Sequence, residues 1–282
     1  MKHYGGLLMI SSKKYVDMTL KNNHLVANKS LGQNFLINND IVKATINALD
    51  LKKDDEILEI GPGLGALSEQ ILSNDCYLTA IEIDKNMVDI LENTFSDNKK
   101  FTIVNQDILK FDIADFINHK TKKIKIVSNL PYYITSQILN KIILSDLDFD
   151  CFIAMMQKEV GKKIINPTRK DLNPLQIILQ MEYEVSIVKY VSKNDFLPRP
   201  DVDSIVLCFK KNKSSYLLNK QFFIEFLKFV FQNRRKTIIK NLSEKYPRDR
   251  LLNIFKKLNL SEDKRIDEIE LDEIIKLYNF LI

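Results

Sequence analysis

Tryptophan is absent from this chain of 282 residues, and cysteine (three), histidine (three), glycine (seven) and proline (seven) are all sparse. Cys76, Cys151 and Cys208 are odd in number, far apart and set among apolar neighbours. That pattern argues against a disulfide framework and against a zinc site, and the isolated His3, His24 and His119 add no ligand cluster. So few turn formers leave little room for low-complexity linkers, and no internal repeat is visible. A run of about 18 or more apolar residues, as a transmembrane helix needs, is also missing. The N-terminal MKHYGGLLMISSKK has an apolar stretch of only four residues, too short for the core of a signal peptide. A cytoplasmic protein without a membrane partner is expected, and metal chemistry is not where the sequence points.

What is present is ordinary for a soluble globular protein, with 45% hydrophobic and 28% charged residues. The length suits one large domain and a smaller one. The net charge of +5 is unevenly spread: residues 1–30 carry +4 and residues 210–250 carry +9, whereas residues 31–209 carry −6 and residues 251–282 carry −2. Two basic segments flanking an acidic centre would draw a polyanion in a salt-dependent way. A solvated lysine-rich surface would account for the same charge, so charge alone does not decide for nucleic acid. Residues 1–28 read as a basic, flexible arm.

From about residue 38 the pattern alternates. Residues 38–50 place apolar side chains at helical spacing behind an Asn/Asp start signal. DEILEIG then reads as a short buried strand, residues 65–73 as a helix, and residues 76–83 as the next strand. Residues 85–95 are helical in pattern, residues 101–107 and 124–129 are strands, a helix runs to about 145, and residues 149–156 form a fifth strand. This is the rhythm of a doubly wound parallel α/β sheet, with ligands expected beyond the carboxyl ends of its strands. Residues 180–192 and 201–211 are longer β-patterned runs that suit antiparallel strands completing the sheet. From about 217 the pattern is helical, and the polar KKNKSS near 210–216 reads as a linker.

Four features carry chemistry. EIGPGLG (59–65) ends the first strand and opens a helix, where glycine lets a ligand approach the backbone and the helix start offers unpaired N–H groups. Its G-x-G-x-G spacing departs from the dinucleotide G-x-G-x-x-G pattern, and a phosphate-binding GK[ST] is missing. Glu82 ends the second strand, where a carboxylate can accept hydrogen bonds from ribose hydroxyls; a plain surface acid is the alternative. Asp107, after the third strand, could bind an adenine amino group or simply favour the turn. NLPYY (129–133) follows the fourth strand and decides the class. An exocyclic amine is a poor nucleophile because its lone pair is delocalised into the ring. Asn129 and the carbonyl of Leu130 or Pro131 can accept its two N–H groups, while Tyr132 holds the base. That favours a tetrahedral nitrogen whose lone pair faces the donor, and no side chain with a tuned pKa is needed.

With these residues in place, the chain resembles the ribosomal RNA adenine dimethyltransferase family, in its small-subunit branch, from about Lys29 to the C-terminus. KSLGQNFL (29–36) is similar to the family's N-terminal signature, which implies that Asn34 and Leu36 contact S-adenosyl-L-methionine with Gln33 nearby. By the same resemblance Gly61 and Gly63 approach the methionine part, Glu82 holds the ribose and Asp107 the adenine. Asn129 then serves cofactor and substrate alike. Tyr133 stands where some members carry Asn and others Tyr. QKEVGKKI (157–164) and FLPRPDVDS (196–204) resemble later signatures, and Phe196 is implied to stack on the target adenine opposite Tyr132; core packing is its bland alternative. FQNRRKTIIKNL (231–242) resembles the C-terminal helix motif of the branch, with Arg234, Arg235, Lys236 and Lys240 as the cations that would face RNA phosphates. One departure stands out: residues 166–180 lack the glycine and tyrosine of the family's RNA-facing loop.

The resemblance therefore implies a Rossmann-like class I S-adenosylmethionine methyltransferase sheet over residues 29–211 and a smaller all-α RNA-binding domain over residues 212–282. It further implies a monomer with no metal that converts two adjacent adenosines of 16S ribosomal RNA to N6,N6-dimethyladenosines within a pre-ribosomal particle. A large-subunit (23S) methyltransferase of the macrolide-resistance type shares the donor and amine motifs, and a non-catalytic ribosome-assembly factor could share the fold. A dehydrogenase is opposed by NLPY and by the glycine spacing.

Overall fold

The computed structural model describes residues 9–120, 122–145, 147–212 and 219–282. Contacts divide the chain into two compact units. The first takes the residues through Ile142 together with Leu147–Ile165 and Glu184–Lys211. The second takes Ile143–Asp146, Asn166–Tyr183 and Asn212–Ile282.

In the first unit the elements run α1 (Lys13–Asn22), β1 (Phe35–Leu36), α2 (Asn39–Leu49), β2 (Glu56–Ile60), α3 (Ala66–Ser73), β3 (Tyr77–Glu82), α4 (Lys85–Thr94), β4 (Phe101–Asn105), α5 (Ile113–Asn118), β5 (Ile124–Asn129), α6 (Thr135–Ile143), β6 (Phe149–Gln157) and α7 (Lys158–Ile165). After α8 (Pro174–Glu182), which belongs to the second unit, β7 (Tyr183–Val191), β8 (Phe196–Leu197) and β9 (Ser204–Lys211) complete it. Seven strands form one sheet in the order β4-β3-β2-β5-β6-β9-β7. β4, β3, β2, β5 and β6 pair in parallel, and β9 runs antiparallel to β6. Helices cover both faces of such a parallel sheet, which is why EILEI and FDCFIAMM read as near-continuous apolar runs. Strand order reverses between β2 and its two neighbours β3 and β5, so the crevice for a ligand opens at the carboxyl ends of these strands.

Three expectations are corrected here. The expected flexible arm over 1–28 contains a helix: α1 is capped by Ser12, whose Oγ accepts from Tyr15 N at 3.2 Å. Its Val16 is 1% exposed, packed with Phe35, Leu64, Met87 and Ile90. The β-run expected from 180 begins at Tyr183, because residues 180–182 finish α8. The expected domain break at 211/212 also needs revision. Asn166–Tyr183 packs with the C-terminal unit, since Asn173 caps α8 and Pro174 starts it at the one helical turn that tolerates proline. Most of the expected linker at 210–216 lies outside the described residues.

The second unit is helical among the described residues: α8 is followed by α9 (Lys220–Phe231), α10 (Ile238–Leu242), α11 (Arg248–Lys257) and α12 (Leu271–Leu281). Phe223 meets Tyr278 edge-on with ring centroids 4.9 Å apart, and stacks on Phe226 at 6.1 Å. Lys220 and Glu182, both buried, pair at 2.5 Å. Residues 231–242 do not form the single helix expected of them. α9 stops at Phe231, and Thr237 caps a new helix through its Oγ1 and Lys240 N.

Candidate active site

A cleft of about 1100 Å³, open mouth included, lies at the carboxyl ends of β2, β3 and β5 and of the segment after β4. Gln33, Asn34, Leu36, Gly61, Gly63, Glu82, Asp107 and Asn129 all line it, as do Leu130, Pro131 and Tyr132. Residues spread over a hundred positions of sequence thus share one wall.

The glycine turn fits a close ligand. Gly61 and Gly63 have φ of +68° and +57°, left-handed values that suit glycine, and a Cβ on Gly63 would lie 3.3 Å from Phe35 Cδ1. Glu82, 7% exposed, is gripped by backbone: its Oε2 accepts from Gly63 N at 3.2 Å, and its Oε1 from Ile83 N at 2.8 Å and Asp84 N at 2.9 Å. Burial nonetheless pushes the Glu82 pKa up, against those three bonds. A carboxylate offers about four lone-pair sites, so an acceptor position is left for a hydroxyl in the cleft. Asp107 caps its own turn, its Oδ1 accepting from Leu109 N at 2.9 Å, and the same residue lines the cleft.

Gln33 is spent on structure. Its Oε1 accepts from Asn28 N and its Nε2 donates to Asp84 Oδ2, each at 2.7 Å, which ties the GQNFL loop to the start of α4. Asn34 Nδ2 donates to Gly32 O at 3.0 Å, and the Asn34 carbonyl accepts from Asn129 Nδ2 at 3.3 Å. That last bond engages the amide nitrogen of Asn129 and leaves Oδ1 as the acceptor for the cleft. On the next residues the choice between carbonyls narrows. Pro131 O already accepts from Ile134 N at 3.2 Å and from Thr135 Oγ1 at 2.9 Å, so the Leu130 carbonyl is the one left. Tyr132 is positioned by its hydroxyl, 2.6 Å from the Ser204 Oγ at the start of β9, and burial keeps its pKa above the ordinary phenol value. Tyr133 is half exposed at the cleft and packs over Gly32.

Phe196 is the residue that departs from expectation. It is 2% exposed and sits in the main core with Leu36, Ile41, Val127 and Val191, because β8 pairs with β1 through Leu36 and Phe196. It is not among the residues lining the cleft. Three residues to which the motifs assign no role are there instead. Glu59, 1% exposed, takes a 2.6 Å bond from Ser68 Oγ, and an acid at the end of an apolar strand was the available signal. Ile10 and Val16 also line the cleft, and only the weak apolar spacing of α1 could have announced them.

Residues 24–282 match the ribosomal RNA adenine dimethylase family. The chain belongs to that family. It is therefore an S-adenosylmethionine-dependent methyltransferase of ribosomal RNA adenine. Among curated relatives, a ribosomal RNA small subunit methyltransferase A from Malacoplasma penetrans is 37% identical over 259 residues, covering 92% of this chain and 93% of its own. The protein of that name from Listeria innocua is 34% identical over 274 residues, covering 93% of each chain. Two solved structures share the fold. A dimethyladenosine transferase from Plasmodium falciparum has a TM-score of 0.70 at 23% identity, covering 86% of this chain and 95% of its own. The 23S rRNA methyltransferase ErmE has a TM-score of 0.63 at 22% identity, covering 88% and 99%.

In the second unit of this dimethylase, Arg235, Lys236 and Lys240 line an open concavity with Thr237, Lys264 and Arg265, and the carboxylates of Asp263 and Glu268 line it too. The strands of chain at Thr237 and Arg265 are bridged, and Ile238 N donates to Lys264 O at 3.0 Å, which brings the two basic stretches together. Arg234 turns to other work, donating to Lys170 O at 3.1 Å with its guanidinium 6.0 Å from the Phe231 ring. Lys236 pairs with Glu244 at 3.0 Å. Cys76, Cys151 and Cys208 are buried and unpaired. Among the described residues no helix is long and apolar enough to cross a membrane.

Proposed function

We propose that the protein methylates N6 of two adjacent adenosines in a loop of small-subunit (16S) ribosomal RNA, giving N6,N6-dimethyladenosine at each, as a step of ribosome biogenesis in the cytoplasm. It would act as a monomer on a pre-ribosomal particle. The observation that carries the reading is the pairing of two acceptors, Asn129 Oδ1 and the Leu130 carbonyl, at the rim of the cleft that Glu82 and the glycine turn also line.

The cleft suits S-adenosyl-L-methionine: Gly61 and Gly63 leave backbone open beside an amino-acid tail, Glu82 offers a carboxylate to ribose, and Ile83 and Ile108 flank Asp107 where an adenine would lie. When bound, it supplies a methyl group on a sulfonium, already strongly electrophilic. What the chain must do is present a weak nucleophile. Asn129 Oδ1 and the Leu130 carbonyl accept the two N–H groups of the adenine amine and favour a pyramidal nitrogen, with its lone pair turned toward the donor. As the N–C bond forms the S–CH3 bond breaks, leaving S-adenosylhomocysteine, and the cationic nitrogen gives one proton to solvent; a single N–H then remains, and one of the two acceptors suffices to hold it for the second transfer. Tyr132, its hydroxyl anchored on Ser204, offers a ring face to the base. A stacked base could not reach this rim, so the target is flipped or lies in a loop. Arg235 and Lys240, joined by Lys264 and Arg265, would neutralise phosphates and set the orientation of the RNA.

Tritium transfer from labelled cofactor to unmethylated small and large ribosomal subunits, followed by nucleoside analysis of each RNA, tests this. N6,N6-dimethyladenosine in the small-subunit RNA is the expected product. Label confined to large-subunit RNA would move the protein to the 23S reading. No transfer to either RNA, with S-adenosylhomocysteine binding intact, would leave a non-catalytic assembly factor.

A further inference from the structure

We infer that Ile10 and Val16 are further cofactor-positioning residues, and that α1 with the residues just before it is a strap closing the glycine-turn end of the donor cleft. The inference rests on the reading of that cleft as the donor site. Both side chains line the cleft while almost wholly buried, at 5% and 1% exposure. The match to the family model begins at residue 24, just after α1 ends at Asn22.

Three attachments hold it. The Ile10 backbone faces the carboxylate of Glu69 in the first turn of α3, where it opposes the upward shift that burial gives that group's pKa. Ser11 Oγ donates to Asn39 Oδ1 at the start of α2, at 3.3 Å. Val16 packs with Phe35, Leu64, Met87 and Ile90. The first two anchors place the strap at the N-terminal ends of α2 and α3. α3 is the helix that the glycine turn opens, so Ile10 reaches the cleft from that side. Phe35 links the two: it packs in the cluster with Val16 and also stands against Gly63. The opposite face of α1 carries Lys13, Lys14, Asp17, Met18 and Lys21, all exposed, so the helix has one apolar side and it is turned inward.

An apolar wall there suits the methylene carbons of an amino-acid tail and keeps water away from the sulfonium. One hydrogen bond, the approach of Ile10 to Glu69 and one small cluster can also let go without disturbing the sheet, as low-stability segments at binding sites do. Cofactor affinity and residence therefore depend on a segment that supplies no residue to the shared motifs.

Calorimetry and stopped-flow release of S-adenosylhomocysteine on the full chain test the strap. Val16→Ala and Ile10→Ala should each bind the product about tenfold more weakly and release it correspondingly faster, as lost apolar contact to a ligand predicts. Met18→Ala, on the exposed face, should bind as the wild type does. If Val16→Ala melts below the assay temperature, Ile10→Ala decides, since Ile10 lies before the helix and outside its cluster. Wild-type affinity and release rate in Val16→Ala and Ile10→Ala would overturn the strap. A wild-type protein that binds no S-adenosylhomocysteine would overturn the donor-site reading, and the strap with it.

Discussion

Glu59 should give the protein a stability that depends on pH in an unusual direction. Its carboxyl group lies at the carboxyl end of β2, where the sheet has removed water. Burial is the largest influence on it; the bond from Ser68 opposes burial and the neighbouring Glu82 reinforces it, and the net result lifts the pKa from 4.5 to about 7. Between those values the folded chain keeps a proton that the unfolded chain gives up. The protonated carboxyl's contribution is therefore fully present below pH 4.5 and is lost as pH rises toward 7. A rise of that size corresponds to about 3 kcal/mol. Glu82 is shifted in the same direction by burial and adds to the slope.

Glu59→Gln isolates the effect, because glutamine keeps an oxygen for the Ser68 hydroxyl and cannot ionise. Melting followed by circular dichroism at constant ionic strength should show the two proteins close together at pH 5. They should then diverge, the variant melting about 6–10 °C higher by pH 8. The residual slope of the variant reports Glu82 and the rest of the chain. Parallel curves from pH 5 to pH 8 would refute the reasoning, since they would mean that the Glu59 carboxyl ionises as freely in the fold as outside it.

Asn129→Ala removes one of the two proposed amine acceptors and should lower methyl transfer by about a hundredfold or more while RNA retention on filters stays near the wild-type level. Gly161→Ala places a Cβ 2.2 Å from Ile205 Cγ2 where α7 crosses β9, so a loss of about 1–3 kcal/mol is expected in a urea titration, with no change in the cleft. Arg265→Ala and Lys240→Ala should each reduce the slope of log affinity against log salt by about one in RNA binding, with little effect on S-adenosylhomocysteine affinity.

The parallel sheet was legible because each buried strand is a short apolar run closed by a turn, and the donor residues fall where such strands end: Gly61 after β2, Glu82 at the end of β3, Asp107 after β4 and Asn129 at the end of β5. Local order suffices for that inference. Phe196 was not legible in the same way. Its burial follows from the pairing of Phe35 with Leu197 and Leu36 with Phe196, a contact across 160 residues that no local pattern carries. The strap was hidden for a different reason. Val16 is the only buried residue of α1, and one buried valine among lysines reads as a solvated helix or an arm. At α8 the signal is local and plain: Asn173 and Pro174 are a strong helix start ahead of an apolar run.

The loss of Phe196 from the cleft sharpens what the acceptor loop must do. With that ring committed to the core, the proposed mechanism has the base meet Tyr132 on one face and leaves orientation to Asn129 Oδ1 and the Leu130 carbonyl. Neither group titrates, and Tyr132 is held in its neutral form by burial. The chemistry therefore has no ionisation of its own in the neutral range, whereas stability slopes through it because of Glu59. Single-turnover methyl transfer at saturating cofactor, run at low temperature where the fold is intact, should be nearly flat from pH 6 to pH 8. Multiple-turnover activity near the melting temperature should instead fall with rising pH and follow the unfolded fraction. A single-turnover rate that rises or falls tenfold across that range would show that a titrating group takes part in the transfer, contrary to the geometry of the loop.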